Sequence, residues 1–232
     1  MTERENLFRP IHKGLRSMIY EMGRRLQTTD FTDDTAARAM VHELRDNLTA
    51  TSSDCTLCLL FAHSTHEEKD FFAPVKTFDP DAIRLMFGEH GEIQRRIRDL
   101  AKTGDELLTE KTVARRVELG DRLNLEANDL FAFYLQHMNN EEATIVPIMW
   151  EHFTDGQLRK MRAEYHTKTP RARLEAWMRW TLPAMNVHEL VVFLGGLKED
   201  GPPELFDYMV NLGDSIVDPT RWQAVRDRIG IG

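Results

Sequence analysis

Four histidines and two glutamates recur along the chain in a pattern that suits metal binding. The pattern is a single histidine followed by a His-x-x-x-Glu motif, and it occurs twice, as His12, His63-x-x-x-Glu67, His90 and His137-x-x-x-Glu141. A histidine and a glutamate four residues apart lie on the same face of an α-helix. Each copy therefore predicts three metal-ligating side chains supplied by two helices.

These six residues fall at inward positions of apolar helical faces, where imidazoles and carboxylates are costly to bury unless they are paired or bound to metal. Two metal ions would remove that cost, because carboxylates can bridge two ions and imidazoles can complete each coordination sphere. Mixed imidazole and carboxylate ligation suits iron, with manganese and zinc as alternatives. The pattern predicts two iron ions, with at least one position left for water, hydroxide or a small gas.

The sequence around the two motifs also repeats. HSTHEEKDFFAPV at 63–75 parallels HMNNEEATIVPIM at 137–149, and the proline comes one residue later in the first copy. His66 also has an acid four residues later, Asp70, but only the His63–Glu67 register aligns the two Glu-Glu doublets. We therefore expect His66 to lie beside the site or at the surface. The second glutamate of each doublet, Glu68 in the first copy, is expected to be solvated.

Two further residues could lie near the metals. Tyr134 precedes His137 by almost one helical turn, so it could approach the site or simply belong to the core. Arg16 follows His12 by one turn and could pair with a carboxylate at the mouth of the site. The sequence assigns no catalytic residue. The remaining histidines are interpreted as structural or exposed: His42, His152, His166 and His188.

Apolar residues recur at three- and four-residue steps, which predicts an all-α protein. Helix one carries an apolar stripe over residues 8–26, with Pro10 in its first turn. Helix two is predicted to begin near residues 32–34 and to continue to Pro74, with Leu48 among its inward residues.

Helix three is predicted from Asp81 to a stop at the Thr-Gly-Asp sequence of 103–105. Helix four is predicted over about 107–149, with Pro147 bending or ending it. Short connections between four such helices favour an up-down-up-down bundle. We therefore predict a bundle domain over 1–153. A C-terminal helical extension is predicted over 154–232, where tryptophan and proline become more frequent.

The six residues and their spacing resemble the hemerythrin-like, or HHE cation-binding, family over about residues 8–153. The resemblance implies a four-helix bundle with a non-haem di-iron site whose ions are joined by an oxo or hydroxo bridge. Oxygen-carrying hemerythrins have a second helix-three histidine and a helix-four aspartate, where this chain has Gln94 and Glu141. The four-His, two-Glu set is more similar to bacterial repair-of-iron-centres proteins. Harder ligation of this kind favours reaction with O2 or peroxide over reversible O2 carriage.

Composition and charge argue against several other classes of protein. The chain has 232 residues, a net charge of −8 and no isolated cluster of Lys and Arg, so we expect no nucleic-acid binding. The N-terminal sequence MTERENLFRPIHK has no apolar segment typical of a signal peptide, and no run suits a membrane span, so we expect a cytoplasmic protein. Cys55 and Cys58 are expected to be two small buried side chains on a helix.

The sequence thus predicts a di-iron protein that binds or reacts with O2, peroxide or nitric oxide, in sensing, detoxification or iron-centre repair. One alternative is a di-iron oxygenase or oxidase that acts on a small organic substrate. A second is a protein-interaction module whose metal site is structural.

Overall fold

A computed structural model describes residues 4–46 and 55–231, and every regular element among them is helical. This confirms the all-helical prediction. The helices are α1 (Arg9–Thr28), α2 (Asp34–Arg45), α3 (Thr56–His66), a π-helical turn (Glu67–Phe71), α4 (Phe72–Val75), α5 (Pro80–Thr109), α6 (Val113–His152), α7 (Asp155–Lys168), α8 (Arg171–Ala184), α9 (Val187–Asp200), α10 (Pro203–Ile216) and α11 (Pro219–Ile229). In the described part of the chain, no helix is long and apolar enough to cross a membrane.

The described residues divide into two compact units. The first unit takes in Met1–Glu5 and Met18–Met161, as far as these ranges are described, and the second takes in Asn6–Ser17 and Arg162–Gly232 on the same terms. In the first unit, α5 packs along α6, and α2, α3 and α4 pack against α5. Its core is aliphatic and aromatic, with Met22, Leu59, Phe72, Ile93 and Leu130 almost fully buried.

The second unit is built from the C-terminal helices and the N-terminal half of α1. Helix α9 packs against α10 and α11, and α10 packs against α8. Its core includes the indole rings of Trp177 and Trp222, which are 2% and 3% exposed. Gly14 of α1 lies against α8, because a Cβ atom added there would stand 2.5 Å from Oγ1 of Thr181.

The predicted single helix two is wrong. Helix α2 begins where expected, with Asp33 accepting hydrogen bonds from the amides of Thr35 and Ala36, but it ends at Arg45. Helix α3 begins at Thr56, after an extended residue at Cys55. The sequence between them is rich in Ser, Thr, Asn and Asp, which favour turns over helix. Leu48, predicted to face inward, lies outside the described residues.

The two cysteines lie at the start of α3. Both are 3% exposed, as expected for small buried side chains. They are joined by a disulfide, which the sequence interpretation did not include. Sγ of Cys55 also accepts a hydrogen bond from the amide of Cys58 and so caps the helix. The pair therefore closes the first turn of the helix that carries His63.

The predicted stop at 103–105 is also wrong, because α5 runs through it to Thr109. Gly104 does not end the helix; it allows α5 to pack closely against α2. A Cβ atom there would lie 2.9 Å from Cδ of Arg45 and 3.0 Å from Cγ1 of Val41, both on α2. The hydroxyl of the preceding residue, Thr103, donates a hydrogen bond to Glu126 of α6. This segment thus joins α5 to two neighbouring helices.

Helix α6 begins at Val113, six residues later than predicted, and continues to His152. Pro147 lies inside it and does not end it. Near the start of α6, the guanidinium of Arg116 donates a hydrogen bond to the carbonyl oxygen of Phe31. One turn further on, Gly120 leaves room for the Phe31 ring, whose Cγ would lie 2.2 Å from a Cβ atom at that position.

We predict that Gly120→Ala destabilises the protein, because the new methyl group would overlap a ring that is 9% exposed. Overpacking of this kind costs about 1–3 kcal/mol. The matched control is Gly88→Ala on α5, where nothing lies within 4 Å of the added Cβ. That control should stabilise the chain by about 0.5–1 kcal/mol, since alanine favours a helix over glycine. Urea denaturation followed by circular dichroism measures both, and equal effects at the two sites would contradict the packing argument.

Candidate metal centre

Five of the six predicted ligands lie in the first compact unit, on four helical elements. His63 is in the last turn of α3, Glu67 opens the π-helical turn, His90 is on α5, and both His137 and Glu141 are on α6. None of the five is more than 4% exposed. Apolar helix faces therefore hold three imidazoles and two carboxylates away from solvent.

The five residues form two overlapping groups. Glu67, His90, His137 and Glu141 each offer one nitrogen or oxygen atom, and these four atoms lie within 4.8 Å of one another. Atoms of His63, Glu67 and Glu141 also lie within 4.8 Å of one another. The two glutamates belong to both groups. These buried groups could hold metal ions, and the arrangement is compatible with a hemerythrin-like site.

The two oxygens of Glu67 face different histidines. Oε1 lies 2.8 Å from Nε2 of His63, and Oε2 lies 3.5 Å from Nε2 of His90. In the second His-x-x-x-Glu motif, Oε2 of Glu141 lies 3.6 Å from Nε2 of His137. A carboxylate whose oxygens point in two directions has the geometry needed to bridge two cations.

His90 and His137 point their Nε2 atoms at each other across 3.1 Å. Their other ring nitrogens are held by carboxylates outside the cluster: Nδ1 of His90 lies 2.9 Å from Glu68, and Nδ1 of His137 lies 2.7 Å from Glu89. If each Nδ1 carries the proton it donates to its carboxylate, each Nε2 presents a lone pair to the centre. Metal-binding histidines commonly have this arrangement.

The charges in the cluster favour a cation. Burial lowers the pKa of His90, but its hydrogen bonds to Glu67 and Glu68 and the negative charges of Glu67 and Glu141 outweigh burial and raise that pKa to about 9. At neutral pH and without metal, His90 therefore carries a second proton and is positively charged among the carboxylates. A hydrogen bond from His137 keeps the pKa of Glu89 below its usual value despite partial burial. The donor set thus fits metal ions, which would replace that proton.

Tyr134 lies beside the cluster but uses its hydroxyl elsewhere. The side chain is fully buried, and its ring centroid is 6.4 Å from that of His63 and 5.9 Å from that of His137. The hydroxyl donates a hydrogen bond to the carbonyl oxygen of Leu60 at 3.0 Å. Burial first, and then the charges of the two buried glutamates, raise the pKa of Tyr134 well above 10. Tyr134 therefore packs the cluster as a neutral phenol.

The π-helical turn explains the offset between the two sequence copies. The first copy has one more residue between its Glu-Glu doublet and its proline than the second copy has. A π-helical turn holds one extra residue within a continuous helix, and such turns are frequent at functional sites. Here the turn covers Glu67–Phe71 and so begins with the doublet itself. The insertion is thus accommodated next to a predicted ligand.

The sequence also pointed to His66, His12 and Arg16. His66 faces Asp70, with Nδ1 3.5 Å from a carboxylate oxygen, and belongs to neither group. His12 is fully buried on α1, in the second compact unit, and Arg16 is partly buried in the same helix. For His12, the place in the ligand set stays a prediction from the sequence repeat.

Sequence reasoning missed the outer carboxylates. Glu68 was expected to be solvated; its side chain is 27% exposed, but it also contacts Nδ1 of His90 on α5, which was not foreseen. Glu89 was not considered, although it directly precedes a predicted ligand; its second oxygen accepts a hydrogen bond from Asn140 at 2.9 Å. Phe72, whose ring stacks on that of His90 at 5.4 Å, was also missed.

We predict that replacing His63 lowers metal content and stability, whereas replacing His66, three residues later, changes neither. His63→Ala should lower the metal content and destabilise the bundle, because it removes a donor and leaves Glu67 with one fewer partner. His66→Ala should change neither, since that side chain lies outside the cluster. Metal analysis of the purified variants, together with thermal denaturation, measures both effects. Loss of metal in His66→Ala and not in His63→Ala would show that the predicted register is wrong.

Comparison with known proteins adds no family assignment: no protein-family model, no curated protein and no solved structure matches this chain.

Proposed function

We propose that this chain is a hemerythrin-like protein whose non-haem di-iron centre reacts with O2, peroxide or nitric oxide. The single observation that carries the proposal is the pair of buried glutamates, Glu67 and Glu141, shared by two groups of donors. A mononuclear site needs one such group. Two groups that share carboxylates favour two ions bridged by those carboxylates. Under this proposal the ligand-bearing helices form the up-down-up-down bundle that the sequence predicts.

The proposed ligands divide between the two ions. His90 and His137 serve one ion, because their Nε2 atoms converge. His63 serves the other, and the sequence repeat supplies its partner: His12 precedes the first His-x-x-x-Glu motif as His90 precedes the second. Carboxylate and imidazole donors of this kind suit iron, while manganese and zinc use similar ligands.

Bound there, two iron ions would supply one electron each, and two electrons with two protons convert hydrogen peroxide into two molecules of water. The protein's part is to exclude bulk water and to hold the donors in place. Phe72 and Tyr134, both fully buried, line the cluster with aromatic rings. Because the five donor residues are at most 4% exposed, the site favours a ligand of a few atoms over a bulky organic substrate.

This burial is why we favour a gas or peroxide reaction over a di-iron oxygenase. Reversible O2 carriage is less favoured as well, because Glu141 and Gln94 replace the aspartate and the second helix-three histidine of oxygen-carrying hemerythrins. With one imidazole fewer, carboxylate oxygens make up a larger share of the donors, which makes the site harder and favours reaction. A purely structural site would also be buried, so only a test of reactivity separates it from the proposed function.

We predict that the chain loaded anaerobically with ferrous iron binds about two ions and consumes about one peroxide per ion pair, as a two-metal site requires. Stopped-flow absorbance after addition of graded peroxide measures the stoichiometry, and metal analysis measures the iron content. Wild-type protein loaded with zinc is the control, because zinc has no accessible redox change. Iron that binds without any optical change on peroxide, O2 or nitric oxide would favour the structural alternative.

We also predict a graded effect of His12→Ala. The variant should retain the ion held by His90 and His137 and bind the other ion more weakly, so that the iron content falls from about two ions towards one. His42→Ala is a matched control, because His42 is a histidine that pairs with Asp46 on an exposed surface. Full retention of both ions with unchanged affinity in His12→Ala would remove His12 from the proposed ligand set.

A further inference from the structure

Two glutamates outside the proposed ligand set contact the histidines of one metal position. Oε1 of Glu68 lies 2.9 Å from Nδ1 of His90, and Oε2 of Glu89 lies 2.7 Å from Nδ1 of His137. Each contact is made on the ring nitrogen that faces away from the cluster. The two pairs are alike in kind, since each joins a buried imidazole to a partly buried carboxylate.

Both contacts cross between structural elements. Glu68 reaches from the π-helical turn to α5, and Glu89 reaches from α5 to α6. The two imidazoles are 0% exposed, whereas the two carboxylates are 27% and 25% exposed. The carboxylates therefore stand between the cluster and solvent, at the outer edge of the site.

Glu89 is itself held in position. Its Oε1 accepts a hydrogen bond from Nδ2 of Asn140 at 2.9 Å, while Oε2 receives the contact from His137. His137 and Asn140 are three residues apart on α6, so one helix supplies both donors. An arrangement in which both oxygens are engaged fixes the carboxylate plane and hence the direction of the imidazole.

We propose that Glu68 and Glu89 are positioning residues that tighten binding of the metal ion held by His90 and His137. By accepting the Nδ1 proton, each carboxylate selects the tautomer whose Nε2 lone pair faces the metal. Its negative charge also makes the imidazole a stronger donor. This inference rests on the proposed function and adds to it a control of metal affinity by residues that do not touch the metal.

The contacts could instead be ion pairs that only stabilise the fold. A structural role predicts lower stability on substitution and no change in metal affinity once the chain is folded. The positioning role predicts a loss of affinity for one of the two ions. It also predicts a change in which ring nitrogen of the imidazole carries the proton. Metal affinity and this tautomer can both be measured on folded protein.

The test is a titration of the full chain with cobalt(II) in competition with a chelator, for wild type, Glu89→Ala, Glu89→Gln and Glu68→Gln. In Glu89→Ala we expect one of two sites to weaken by about 10–100-fold, as is typical when such outer partners are lost. Glu89→Gln should weaken the site less, because the amide oxygen can still accept the Nδ1 proton. Nitrogen-15 NMR of the zinc-loaded wild type should show His90 and His137 protonated at Nδ1, and Glu89→Ala should alter the His137 signals.

The matched control is Glu92→Gln, one turn along α5 from Glu89. Glu92 is similarly exposed, at 32%, and pairs with Arg95 and Arg96 at the surface. The Glu92→Gln variant should therefore bind cobalt at both sites with wild-type affinity. If wild type binds two ions and the Glu68 and Glu89 variants bind both with wild-type affinity, the positioning role is overturned and the di-metal proposal stands. If wild type binds no metal, both proposals fall together.

Discussion

The constraint on which the site depends is the burial of two carboxylates within reach of each other. Glu67 and Glu141 are 1% and 0% exposed, and their oxygens belong to the same close groups of donors. Two negative charges at this separation repel strongly in a protein interior, and each also loses its hydration. Cations at the centre would offset both costs. Without metal, a second proton on His90 offsets part of this repulsion, since hydrogen bonds to Glu67 and Glu68 outweigh burial and raise the pKa of His90 to about 9.

The surrounding elements can be understood as a frame for that cluster. Helices α3, α5 and α6 each contribute a histidine, and their apolar faces pack closely around the polar residues. Close packing is secured by glycines where helices or rings approach, as at Gly104 and Gly120. The π-helical turn supplies one carboxylate from within a continuous helical segment. Stable apolar packing thus supports a polar centre that would be unfavourable by itself.

The residues of the candidate site could be found from the sequence because their signal is local and repeated. A helix brings His63 and Glu67 together, and likewise His137 and Glu141, without any knowledge of the tertiary structure. His90 was found because it interrupts a regular apolar stripe. The repeat also selected His63 over His66, and the structure places only His63 in the cluster.

What could not be predicted depends on contacts between distant segments. Glu68 was expected in solvent because it lies one step off the inward face, and its partner His90 is on another helix. Gly104 was interpreted as a helix stop, because a glycine at a terminus and a glycine at a helix crossing look alike in sequence. The break after Arg45 was missed because the apolar periodicity was given more weight than the Ser- and Thr-rich segment that follows.

The most direct test of the central claim is X-ray absorption spectroscopy at the iron edge on iron-loaded protein. If Glu67 and Glu141 bridge two ions, the spectrum should contain iron–iron scattering at about 3–4 Å, the spacing typical of two-metal sites, with nitrogen and oxygen as the nearest neighbours. A spectrum of isolated iron with no such scattering at full loading would contradict the account, because the shared carboxylates would then serve a single ion.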